Sequence, residues 1–233
     1  MKAMLLRVGI DKGCGRALSP IFNDGSFEYI PIPESDPDTR ETRTYQNTSG
    51  RKKKPLADFL PPKICDNKMH FDPEFETFTY GDPSSKRKSL LKLNKDDLLV
   101  FYAGLTPYEN DKYPNALYII GYFAVENVVD FNVLSKKETL NSCNLYSGNA
   151  HIKMKRDLED LVIVEGNKKK SRLLDKAILI SEPKLNKIGR PYHAVSPEME
   201  QLLGIRGSIQ RSIPPRMIRD SEYVENLKRI LKI

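Results

Sequence analysis

Two long apolar runs constrain this chain more than any other feature: LNKDDLLVFYAGL, ending at Leu105, and YIIGYFAVENVVDF, starting at Tyr118. Together they are rich in Val, Ile, Tyr and Phe, so they read as neighbouring antiparallel strands. A chain with such a pair must build a sheet and cover it. Gly121, inside the second run, marks a bulge or a sharp bend. The stretch Ala116 to Val125 is the longest uninterrupted apolar run and is far short of the ~20 residues a membrane helix needs. No membrane partner is expected.

The other elements follow from local chemistry. Ala3 to Ile10 is a branched apolar run ending in a glycine turn, which predicts a buried strand. Asn23-Asp24-Gly25 supplies turn chemistry before Phe27 and Tyr29, while Pro31 and Pro33 hold the following chain extended at an edge. Short strands are expected at 151–154, 161–164 and 177–180. Ser196-Pro197 with two following acids and Gly204 delimits a short helix. Asp220 to Lys232 is a second helix, with an apolar stripe at Tyr223, Val224, Leu227, Ile230 and Leu231. The fold class is therefore α+β: a bent, mostly antiparallel sheet or partly closed barrel, with a polar insertion and short C-terminal helices. One domain spans 1–233, with 35–55 as a flexible insertion and 205–233 as an extended segment plus helix.

Charge and cysteine usage limit the function classes. Thirty-eight basic against 31 acidic residues leave +7, which draws the protein toward polyanions. Cys14, Cys65 and Cys143 are too far apart for a metal knuckle or a disulfide framework and read as inert thiols in a reducing cytoplasm. The N-terminal run contains Arg7 and Asp11 and no small-residue cleavage site, so no signal peptide is expected. A P-loop, a GxGxxG after a strand, a GxSxG elbow and an HExxH are all missing from the sequence.

The candidate site residues come from four chemical types. Arg211 and Arg216 lie in SIQRSIPPR, where two prolines hold guanidinium forks that suit phosphate oxygens. Asp11, Asp24 and Glu28 are early acids able to accept from a base edge, or simply to form turns. Tyr80 and Tyr102 offer rings for stacking, and Asn149 and Gln210 offer amides. For an enzyme, Asp24, Glu28, Asp72 and His151 are the candidates for acid–base work. His70-Phe-Asp72 with a distant His151 or His193 matches in outline the two-histidine, one-carboxylate set of non-haem iron sites. Asp72 before Pro73 is equally at home in a turn, so no metal ligands and no cofactor are assigned.

Several blocks taken together, IDKGCG, PIFNDGSFEYIPIPE, HFDPEFETFTYGD, DDLLVFYAGL, YIIGYFAV, NAH at 149–151 and GSIQRSIPPR, resemble the family called nucleotide modification associated domain 3 over nearly the whole chain. The resemblance implies a role in systems that modify bases in DNA, with DNA or a modified nucleotide, and proteins of such a system, as partners. More loosely, 96–130 is similar to the core of PUA and EVE-type barrels, which cradle modified bases. That likeness implies a barrel mouth near Phe101, Tyr102, Gly104 and Tyr118, rimmed by 106–115. The leading expectation is recognition of a modified base or nucleotide. The alternatives are an enzyme of base or nucleotide modification and a scaffold whose acids and arginines only pair with each other.

Overall fold

The structure is a computed structural model that describes all 233 residues, Met1–Ile233. Its strands are β1 (Ala3–Arg7), β2 (Ser19–Ile21), β3 (Ile32–Pro33), β4 (Met69–His70), β5 (Thr79–Asp82), β6 (Leu98–Pro107), β7 (Ala116–Asp130), β8 (Val162–Gly166), β9 (Arg172–Leu179), β10 (Ser181–Leu185), β11 (Pro191–Val195) and β12 (Arg216–Ile218). The helices are α1 (Arg87–Leu90), α2 (Lys136–Leu145), α3 (Ala150–Lys153), α4 (Pro197–Leu203) and α5 (Ser221–Leu231).

The two apolar runs are β6 and β7, and they pair antiparallel from Leu98↔Ala124 to Leu105↔Ala116. Each is long enough to serve two further partners. The first half of β6 takes β1, parallel, and its end takes β2, also parallel. The first half of β7 takes β9 and its second half takes β8, both antiparallel. The sheet runs β12-β1-β6-β7-β8-β5 and stays open. It is bent and mixed, antiparallel in most pairings, as expected, and it does not close. The register of β6 on β7 jumps from Phe101↔Gly121 to Tyr102↔Ile119, so Ile120 is the extra residue of a bulge. A Cβ on Gly121 would sit 2.8 Å from the Phe75 ring and 2.9 Å from the Arg172 carbonyl. Glycine there lets a covering ring and the next strand approach the bend together.

Phe75, Phe101 and Phe123 meet edge-on over that bend, with centroids 4.7–5.7 Å apart. They sit in a core of 39 buried residues that β1, β6 and β7 supply in large part. Truncating Phe101, which is fully buried, would cost about 3–5 kcal/mol. Helix α4 starts at the Ser196 side chain, which accepts from Met199 N–H, and stops at left-handed Gly204. Helix α5 begins with Asp220 accepting from Glu222 N–H and buries Val224, Leu227 and Leu231.

Two expectations change. The stretch 35–55 is packed down rather than free. Tyr45 is fully buried and its hydroxyl donates to the Pro31 carbonyl at 2.9 Å, in a second small core with Ile10, Ile30, Leu56 and Met69. One aromatic among polar neighbours produces no periodic signal, yet it anchors the segment. Residues 151–154 lie in helix α3 and its C-terminal cap, because Asn149 accepts from His151 N–H and caps a turn of helix. No helix is long and apolar enough to cross a membrane.

A cationic cleft and a histidine–carboxylate cluster as candidate functional sites

The first site lies at the carboxyl end of β1. Beyond Arg7 the chain turns through left-handed Gly9 to Asp11, whose carboxylate accepts from Gly13 N–H at 2.8 Å and Cys14 N–H at 3.0 Å. The late segment around Ile209 crosses in front. It is pinned from beneath by Tyr102 on β6, whose hydroxyl donates to the Ile209 carbonyl at 3.0 Å, and Ile209 itself is fully buried. Arg211 then reaches back about two hundred residues in sequence, donating through Nε to Asp11 Oδ2 and through Nη2 to the Gly9 carbonyl. Burial would raise the Asp11 carboxyl, but the hydrogen bond and charge of Arg211, with Cys14, hold it down at about 2.

Arg7 is the unusual member. Its side chain comes off the last residue of a buried strand and it is only 9% exposed, yet Nε and Nη1 have no partner at all. Buried guanidinium groups are normally paired. Gly104 on β6 makes the space: a Cβ there would stand 2.6 Å from Arg7 Nη2. Burial first, then repulsion from Arg211, lowers Arg7 to about 10, with Asp11 resisting. The guanidinium faces a cleft of about 430 Å³ whose polar lining includes Asp11, Lys12, Asn115, His193, Gln210 and Arg211. Burial, together with the charges of Arg7 and Lys12, lowers the His193 pKa below its ordinary value, which favours the neutral ring. Three permanent cations against one carboxylate leave the cleft short of negative charge.

The second site lies at β4, β5 and α3. His70 ends β4, Asp72 follows two residues on, and α3 brings in His151. One donor atom from each lies within 4.8 Å of the others, with Asp72 Oδ2 3.4 Å from His151 Nε2. The imidazoles meet edge to face at 4.7 Å. Each group is held by something else. Glu34 Oε2 is 2.9 Å from His70 Nδ1, Asp72 Oδ1 accepts from Gly81 N–H at 2.8 Å, and Asn149 orients the backbone of His151. Although burial opposes a charge on His151, the hydrogen bond and charge of Asp72, reinforced by Asp82 and Glu34, raise its pKa above the ordinary value. His193 is in the first site and does not join this set.

The sequence candidates therefore divide. Asp11, Gln210 and Arg211 converge on the cleft, and Asp72 and His151 on the cluster. Tyr102 and Arg216 brace the cleft from outside it; Arg216 donates to the carbonyl of Ser208 at 2.9 Å. Asp24 is at an exposed hairpin tip, bonded to Ser26 and 3.5 Å from Lys52. Glu28 is buried and accepts from the N–H groups of Arg51 and Lys52, anchoring their loop. Tyr80 is buried against Phe101, its hydroxyl donating to Asp82 at 3.1 Å. Asn149 is a helix cap that also donates to Thr79. Asp24, Glu28, Tyr80 and Asn149 thus have structural partners away from the cleft, and no phenol ring lines it. Arg7 and Lys12 were missed; Asn115 entered only as the end of an expected rim and His193 only as an alternative metal ligand. The available signal for Arg7 was its place: a charge inside an apolar strand has to be explained by a partner or a ligand.

Cys14 and Cys143 are held by burial above the usual thiol range, and all three cysteines are free. The sequence profile described as nucleotide modification associated domain 3 matches residues 2–199. That span covers β1 to β11, both clusters except for Gln210 and Arg211, and part of α4. Comparisons with curated proteins and with solved structures gave no match.

Proposed function

Because this chain belongs to the nucleotide modification associated domain 3 family, we propose that the cleft at the end of β1 receives a nucleotide, free or within DNA, as part of a base-modification system. Arg7 and Arg211 hold its phosphate. The observation that carries this reading is the unpartnered Arg7 guanidinium, nine-tenths buried and facing the cleft. A phosphate there supplies the missing negative charge, and because Nε and Nη1 are themselves shut off from solvent, a turn of the guanidinium toward the cleft brings its fork onto two phosphate oxygens. Arg211, already oriented by Asp11, lines the same cleft with donors to spare. Lys12 adds a mobile point charge. Gln210 and Asn115 carry both donor and acceptor atoms, the equipment needed to read the edge of a base and to tell a modified base from an ordinary one. The cleft volume of about 430 Å³ is that of a small-molecule site and takes one nucleotide, not a duplex.

The test is a titration of the full chain with a nucleoside 5′-monophosphate and with short oligonucleotides carrying modified or unmodified bases, each at two salt concentrations. Affinity should fall as salt rises. Arg7→Met and Arg211→Gln should each weaken binding by about tenfold or more, the size of a lost hydrogen bond to a charged group. Equal binding by the native chain and Arg7→Met would remove the reading. Equal affinity for modified and unmodified bases would remove base recognition and leave the phosphate site.

A further inference from the structure

His70, Asp72 and His151 have no part in the cationic cleft, and their geometry asks for a different ligand. We propose that they form a mononuclear site for a divalent first-row metal ion, ferrous iron foremost, with the open coordination positions facing a second cavity.

Four observations converge. The donor set is two imidazoles and one carboxylate, the combination that leaves several positions free on an octahedral ion. The spacing fits: a metal about 2.1 Å from each donor holds neighbouring donors roughly 3.0–3.4 Å apart, and Asp72 Oδ2 and His151 Nε2 are already 3.4 Å apart. No pair in the set exceeds 4.8 Å, so the longest separation has to close by at most about 1.4–1.8 Å, within the play of the side-chain torsions.

The third observation is the outer support. Glu34 engages Nδ1 of His70, which fixes the ring and leaves Nε2 with its lone pair available, the arrangement in which a carboxylate orients a ligating histidine. Asp72 is held in the same way through its other oxygen, by Gly81 N–H. The side chain of Asn149 sets the first turn of α3 and with it the placement of His151. The fourth is access. Both imidazoles line a cavity of about 270 Å³ that also contains Ser35 and Arg156. A purely structural metal site is closed by protein ligands, whereas this one opens on a space large enough for water and a small co-ligand. Arg156 on its wall favours a co-ligand that carries negative charge.

This proposal does not depend on the phosphate cleft, since no residue is shared between the two. It is tested on the full chain, stripped of metal and titrated with Co(II) in air and with Fe(II) under anaerobic conditions. About one equivalent should bind, with visible Co(II) ligand-field bands of a mixed nitrogen and oxygen set. His70→Ala and His151→Ala should each lower the affinity at least about tenfold, and Glu34→Gln, which only positions His70, by about tenfold. His193→Ala, in the other site, should leave metal binding unchanged. His70 is buried, so its variant can fail for want of folding; His151 is half-buried, and its variant with the native Co(II) spectrum decides in that case. Binding of less than about a tenth of an equivalent by the native chain, or unaltered affinity in His151→Ala, overturns the site.

Discussion

Arg7 is a buried guanidinium and Arg43 a half-buried one, and they are treated in opposite ways. Arg43 donates to both oxygens of Glu41 at 3.0 and 3.1 Å and to Glu76 at 3.2 Å, and lies 3.6 Å over the Phe71 ring. Burial works against its charge, but the bonds and charges of Glu41 and Glu76 prevail and its pKa is raised. Arg7 is more deeply placed, has no acceptor for Nε or Nη1, and has its pKa lowered. The first arrangement is a clasp that ties 36–43 to α3 through Lys153, which also reaches Glu41 at 2.8 Å. The second is a charge kept without an internal partner at a cavity wall. Satisfied buried ions describe structure, and an unsatisfied one marks where something else is expected to arrive.

The contrast can be broken most decisively from the clasp. Glu41→Gln leaves Arg43 and Lys153 without their shared acceptor charge and should lower stability by about 2–3 kcal/mol, read as a lower urea midpoint at unchanged slope. Arg7→Met should act in the opposite direction, raising stability by about 1–2 kcal/mol because an uncompensated buried charge is replaced by an apolar side chain of similar length. The same variant should lose phosphate binding. Destabilisation of Arg7→Met as large as that of Glu41→Gln would mean that Arg7 is structural and that the two arginines do not differ in kind.

A smaller effect concerns Asp11. Its carboxyl is depressed to about 2 in the fold against about 3.9 in the unfolded chain, so the unfolded state binds the proton first. The stabilisation is complete above pH 4 and is lost as pH falls toward 2. Because the Arg211 side chain is 35% exposed, screening reduces the contribution to about 1 kcal/mol. Urea midpoints at pH 5 and pH 2.5 should differ less in Arg211→Gln than in the native chain; an identical difference would exclude the Asp11–Arg211 pair as a source. The smallest effect is expected at Asp24, whose exposed contact with Lys52 belongs to neither region. Asp24→Ala should leave both the unfolding midpoint and nucleotide binding where they were.

Much of the scaffold was legible because it is local or periodic. The β6–β7 pair, the break at Gly121, the Ser196 cap, the Gly204 stop and the stripe of α5 all announce themselves within a dozen residues. The packed state of 35–55 was not legible, because it depends on Tyr45, Glu28 and Glu41 finding partners far along the chain. Of the early acids proposed to face the late arginines, Asp11 does so, while Asp24 completes its own turn and Glu28 anchors the loop at Arg51 and Lys52. A side chain's type limits what it can bind, but whether its capacity is already used depends on neighbours that sequence spacing does not reveal.

The sequence by itself determined that the chain builds a sheet around two shared strands, that the sheet bends at Gly121, and that short capped helices close the C-terminal part, since torsional preference and side-chain period act over short distances. Tertiary structure alone decided that Arg7 goes unpaired beside Arg211, and that His70, Asp72 and His151 stand together while His193 stands apart. Those outcomes depend on parallel pairing of β1 with β6 and on where α3 docks, and both are set by burial of the whole core.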